Sequence, residues 1–136
     1  MNKEFVPYEL AVKLKELGFD EPCFLVYHKK KLVGITNHEA SGFQLPTIVN
    51  SRLGNITICA PLYQQAFRWF RDKKLSDMCI CRYQSRYDGG IYYYYHITHD
   101  FGVEEIKHFK EGFISYEEAE LACLNKLIEI VQGGQK

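Results

Sequence analysis

The sequence predicts an α+β fold, an antiparallel sheet with helices packed on one face. Three observations carry this. Three segments place apolar residues at helical spacing between start and stop signals. Several shorter runs alternate apolar and polar residues at period two. The links between those runs are too short for the crossovers that a parallel sheet needs. The order reads α-β-β-α-β-β-β-α, and 136 residues suit a single domain over residues 1–136.

The elements follow in chain order. Pro7 suits the first turn of a helix, Leu10, Ala11, Leu14 and Leu17 form its apolar stripe, and Gly18 stops it. Asp20-Glu21-Pro22 breaks the chain. Cys23 to Tyr27 and Leu32 to Thr36 then read as short strands around the exposed turn His28-Lys29-Lys30-Lys31. In a neutral chain those lysines read as a solvated hairpin tip rather than a phosphate patch. Asn37 to Gly54 shows no sustained period and reads as a long loop, with a short strand near Thr47–Val49. Ile56 to Cys59 is a short apolar run.

Pro61 opens the second helix, to about Lys73. Leu62, Tyr63, Ala66, Phe67, Trp69 and Phe70 cover more than half its circumference, which makes Trp69 a core anchor. Asp77 to Ser85, Ile91 to Thr98 and Val103 to Phe109 read as strands joined through Asp88-Gly89-Gly90 and Asp100-Phe101-Gly102. Ser115-Tyr116-Glu117-Glu118 is a capping box for the last helix, to about Val131. Its inner face is Ala119, Ala122, Cys123, Leu127, Ile130 and Val131, and Gly133-Gly134 ends it. Tyr8 and Tyr63 lie as far apart in sequence as Ala11 and Ala66, which raises the alternative of two helix-plus-hairpin half-repeats.

Composition argues against several classes. Seventeen basic side chains balance seventeen acidic ones, so the basic surplus of nucleic-acid and anionic-membrane binders is missing. The start, Met1-Asn2-Lys3-Glu4-Phe5, has no apolar signal region, and no apolar run reaches the length of a membrane span; the expected location is cytoplasmic. The five cysteines are odd in number and irregularly spaced, so they read as small buried hydrophobes without a disulfide. Cys79-x-Cys81 puts two thiols on one strand face, but zinc wants a second pair, and no metal or cofactor is expected. No Gly-rich phosphate loop, Gly-x-Ser-x-Gly or His-Glu-x-x-His occurs. A Cys–His nucleophile is disfavoured because apolar neighbours raise a thiol's pKa. His96 and His99 read as surface histidines. The protein is therefore expected not to be an enzyme.

The richest segment is Ile91-Tyr92-Tyr93-Tyr94-Tyr95-His96-Ile97, in a chain with ten Tyr, nine Phe and one Trp. Period two puts Ile91, Tyr93, Tyr95 and Ile97 on one face and Tyr92, Tyr94 and His96 on the other, and the isoleucines mark the first set as buried. On the preceding strand, Cys79, Cys81 and Tyr83 alternate with Met78, Ile80 and Arg82. A two-residue Asp88-Gly89 turn pairs Tyr83 with Tyr94 on the outer face; an odd loop or a bulge aligns Tyr83 with the buried set and brings Arg82 beside Tyr92, Tyr94 and His96. The candidate binding residues are Arg82, Tyr92, Tyr94 and His96. Aromatic rings beside Arg on an open sheet face can hold a ligand, anchor a protein or stack bases. The rival explanation is that Tyr is simply a good strand former.

Four stretches carry a resemblance: Phe5-Val6-Pro7-Tyr8-Glu9-Leu10-Ala11, Leu17 to Cys23, Ala60 to Arg71 around Tyr63-Gln64-Gln65-Ala66-Phe67-Arg68-Trp69, and Tyr116 to Leu124. Together they resemble a set of small proteins encoded by phages and mobile elements of Bacteroidetes-type gut bacteria. The resemblance covers about half of the chain and carries no catalytic motif. It implies an accessory or host-interaction role. The α-β-β-β-α order of the tail is also similar to a double-stranded-RNA-binding domain, whose last helix begins with a lysine cluster. Here Glu117, Glu118 and Glu120 stand in that place and would repel phosphates.

The functional expectation is a small binding or adaptor protein, phage- or mobile-element-encoded, in stoichiometric contact with a host protein or small ligand. The alternative is a single-stranded nucleic-acid binder using a Tyr/Arg sheet face. A homodimer through the same face is the rival use of that surface.

Overall fold

Pro7 precedes helix α1 (Tyr8–Glu16), and Gly18 follows it at a φ of 100°, a left-handed stop that a residue without Cβ adopts freely. Leu10, Ala11 and Leu14 are its buried stripe. In the computed structural model the described residues are 2–34, 47–74, 76–100 and 105–134. The chain divides into two compact units, Met1–Ala66 and Phe67–Lys136.

The first unit holds α1 and a three-stranded antiparallel sheet. Its strands are β1 (Leu25–His28), β2 (Lys31–Gly34) and β3 (Thr57–Ala60), in the order β2-β1-β3. Lys29 and Lys30, both at positive φ, form the two-residue turn between β1 and β2. The apolar run expected at Ile56–Cys59 is β3, paired with β1 from Leu25↔Ala60 to His28↔Thr57. Cys23, expected inside the first strand, instead makes an isolated antiparallel bridge to Ile48. Of the loop expected over Asn37–Gly54, residues 37–46 lie outside the described set; Asn50–Arg52 forms a 3-10 turn.

Polar bonds lock this unit internally. The buried Asn50 donates from Nδ2 to the Phe19 carbonyl at 2.8 Å and accepts the Cys59 N–H at Oδ1, 2.9 Å. Tyr27 donates its hydroxyl to the Val6 carbonyl at 2.6 Å and meets Tyr8 edge to face. Helix α2 (Tyr63–Lys74) starts in this unit and ends in the next. Trp69 is buried and meets Phe70 at 5.1 Å, with the Lys74 ammonium over its ring at 5.2 Å.

The second unit is a meander, β4 (Ser76–Gln84), β5 (Ile91–Asp100) and β6 (Glu105–Phe113), followed by α3 (Tyr116–Gly134). Half of the expected capping box forms: Ser115 Oγ accepts the Glu118 N–H at 3.2 Å, while the Glu118 carboxylate accepts the N–H of Ile114, the residue before the cap, at 3.2 Å. Helix α3 packs on the sheet through Ala119, Cys123, Leu124, Leu127, Ile128 and Val131. Leu124 and Ile128 take the places expected for Ala122 and Ile130, which are only half-buried.

The α+β class and the helix and strand order hold, with β3 as an added strand. The expected sheet is two three-stranded sheets, one in each unit. Each unit follows a helix with an antiparallel sheet, but the first strand is central in one and the second in the other. The half-repeat is therefore one of element order and not of connectivity. Among the described residues no helix is long and apolar enough to cross a membrane.

Candidate functional site on the outer face of the second sheet

The β4–β5 ladder runs from Ser76↔His99 to Gln84↔Ile91 without a shift. Opposed residues in an antiparallel ladder share a face. The pairs Cys79↔His96, Cys81↔Tyr94 and Tyr83↔Tyr92 therefore lie together on one face. Ser76↔His99, Met78↔Ile97, Ile80↔Tyr95 and Arg82↔Tyr93 lie on the other, where Tyr95, Ile97, Ser76 and His99 are buried. Helix α3 covers that second face. The first faces away from it.

Register decides which candidate residues meet. Tyr92, Tyr94 and His96 share the outer face; of the set expected to be buried, Tyr95 and Ile97 are, Tyr93 is half-buried, and Ile91, at the start of the strand and beyond the cover of α3, is 41% exposed. Arg82 does not join them. It stands opposite Tyr93 and belongs to the helix-side face, exposed because it lies near the end of the strand. The reason is the turn. The link is Ser85 to Gly90, and neither of the two turn geometries weighed from sequence occurs. Tyr83 pairs with Tyr92, and no bulge intervenes in this hairpin.

The missing bulge sits in the next pairing. Tyr93 opposes Phe113 and Tyr95 opposes Lys110, so Glu111 and Gly112 together face Tyr94. Gly112 has a φ of 91°, which the irregularity requires.

The outer face carries a continuous file of rings. Tyr83 stands 6.0 Å from Tyr92 and 5.9 Å from Tyr94, and Tyr94 stands 5.2 Å from Phe109 on β6. Phe109 is 57% exposed, and the three tyrosines are half-buried. Asp88 anchors one end: its Oδ2 accepts the Tyr92 hydroxyl at 2.5 Å, and its Oδ1 accepts the Gly90 N–H at 2.8 Å. The Tyr92 bond lowers the Asp88 pKa and raises that of Tyr92. A hydrogen bond to Cys81 raises the Tyr94 phenol in the same way. Beyond Tyr83, a cleft of about 480 Å³ is lined by Tyr83, Gln84, Ser85, Arg86, Tyr87 and Glu111.

Sequence reasoning missed Phe109 as a member of this patch and left Tyr83 open, on the outer face in one turn reading and with the buried set in the other. Tyr83 needed the register. Phe109 was the last residue of an expected strand that in fact runs to Phe113, and its setting in Lys107-His108-Phe109-Lys110 was the available signal. Two expectations about other residues are corrected. His99 is a buried histidine, 6% exposed, whose Nδ1 is hydrogen-bonded to Ser76 Oγ at 2.5 Å. Cys23, Cys59 and Cys123 are buried, but Cys79 is exposed and Cys81 half-exposed, because period two turns both away from α3. Among the described residues no group of three or more His, Cys, Asp and Glu side chains is placed to hold a metal ion.

No protein-family model, no curated protein and no solved structure matches this chain.

Proposed function

We propose that the protein is a small non-enzymatic binding or adaptor protein, acting in the cytoplasm by stoichiometric contact through the outer face of the second sheet. The observation that carries this reading is the file Tyr92–Tyr83–Tyr94–Phe109, four rings spanning three strands on the face away from α3. Aromatic side chains give large contact area at small cost in rotamer entropy, and their clustering is typical of contact hot spots. A protein surface or a small flat ligand suits such a file. The phage or mobile-element resemblance of the sequence adds a host protein as the occupant to test first.

Single-stranded nucleic acid is the second reading, since bases stack on tyrosine. It loses support with Arg82 on the opposite face, since Asp77, Asp88 and Glu111 on or beside the patch offset Lys107 and Arg86 there and leave no basic surplus among the described residues. The test is a Tyr92→Ser/Tyr94→Ser variant beside the wild type. The expected result is an unchanged fold by circular dichroism and loss of one protein retained from host lysate or of self-association. A folded variant that keeps every interaction overturns the site. Binding to single-stranded oligonucleotides that falls steeply with salt replaces the first reading by the second.

A further inference from the structure

Strand β6 is an edge of its sheet, and along its helix-side face His108 and Lys110 stand opposite Ile97 and Tyr95. Across from them, α3 brings Asn125, Lys126 and Glu129. These side chains line one cleft of about 520 Å³ with Tyr95 in its wall. Lysine side chains from β6 and from α3 therefore line one concavity. Each has one neighbour besides the cleft. Lys110 lies over the Phe113 ring at 5.7 Å, and Phe113 stacks on Tyr95. Lys126 lies 3.2 Å from Glu129, one turn along the helix.

The geometry points to an anion site in this cleft, one that takes a small tetrahedral dianion of the sulfate or phosphate class, held by Lys110 and Lys126 with His108 and Asn125 as further donors. A tetrahedral oxyanion accepts hydrogen bonds from several directions, which suits donors on two walls. A monocarboxylate brings half the charge and two acceptor oxygens instead of four. Among the described residues Glu129 is the sole carboxylate lining the cleft, and its pair with Lys126 is exposed and weak, so Lys126 can turn to a ligand. The groups facing His108 agree with this. Burial and the Lys126 charge hold its pKa below the ordinary range, with Glu129 opposing them. A bound dianion reverses that balance and favours imidazolium, so binding tightens as the pH falls through the His108 titration.

Sulfate is the probe, because it does not itself titrate near neutrality. The experiment follows the His108 ring resonances while sulfate replaces chloride at constant ionic strength, at about pH 5.5 and about pH 7.5. The expected result is a saturable shift, tighter at the lower pH, with the His108 pKa raised by sulfate. Lys110→Gln and Lys126→Gln each weaken binding roughly tenfold, and Glu129→Gln strengthens it. Acetate gives no saturable shift. A linear response in the wild type overturns the site, as do lysine variants that bind as well as the wild type. Acetate binding as tightly as sulfate overturns the dianion assignment. The gain expected from Glu129→Gln keeps the test decisive even where a lysine variant folds poorly.

Discussion

Tyr83 and Tyr92 occupy directly opposed positions of the β4–β5 ladder, their rings 6.0 Å apart. That one pairing settles which side chains surround the candidate site. It turns Cys79, Cys81, Tyr94 and His96 to the same side and sends Arg82 to the other. The outer face is therefore an aromatic surface bordered by thiols and an imidazole, with Arg82 turned away from it and Arg86 only at its end, in the cleft beside Tyr83.

The thiols should separate by reactivity. Cys23, Cys59 and Cys123 are buried, and burial pushes Cys123 up to about 12. Cys23 is raised by its hydrogen bond to Cys59 and by burial. Cys79 is exposed, although burial of part of its surface and the neighbouring Cys81 raise its pKa as well. A thiol reagent on the native protein should modify Cys79 first, at a rate that climbs about tenfold per pH unit near neutrality. Cys79→Ser should remove that phase. Prompt labelling of all five cysteines in the native state would contradict the burial.

Trp69→Ala should cost about 3–5 kcal/mol, the loss for a large buried aromatic. Trp69 is 5% exposed and packs edge to face on Phe70. Urea unfolding followed by circular dichroism measures it. Near wild-type stability would place Trp69 at the surface.

Asn50→Ala should cost about 2–3 kcal/mol, because it strands two buried backbone groups, the Phe19 carbonyl and the Cys59 N–H. Asn50→Asp keeps the acceptor for Cys59 and loses the donor to Phe19. An effect well under about 1 kcal/mol for the alanine variant would mean that water replaces both bonds.

Glu120 gives a pH dependence with a defined sign. Burial, with Glu117 adding to it, raises its pKa from the ordinary 4.5 to about 7 in the folded protein. The folded state therefore binds this proton more tightly than the unfolded chain. The stabilisation is fully present below about pH 4.5 and is lost as the pH rises through about 7. Glu120→Gln should flatten this part of the stability curve and make the variant the more stable above neutrality. Melting temperatures at mildly acid and mildly alkaline pH decide it; parallel curves for the two proteins would remove Glu120 as the cause.

Helix boundaries were legible because their signals are local. Pro7, Gly18 and the Ser115–Glu118 box act within a few residues of themselves, and the helices begin and end within about three residues of them. The outward set Tyr92, Tyr94 and His96 was legible for the same reason: period two fixes a strand's own faces, and Ile97 marks the buried one, although Ile91 at the strand's start is exposed. What lies across from a strand is not local. One residue of slip exchanges its neighbours' faces, and Asp88-Gly89-Gly90 is compatible with several loop lengths. Only the folded ladder, with its six-residue link and with Gly112 bulging in the following strand, excluded Arg82 and admitted Tyr83 and Phe109. The division into two sheets has the same origin. A four-residue run such as Thr57–Ala60 carries too little pattern to be named a strand, and it becomes one only because β1 offers it a row of unpaired backbone groups.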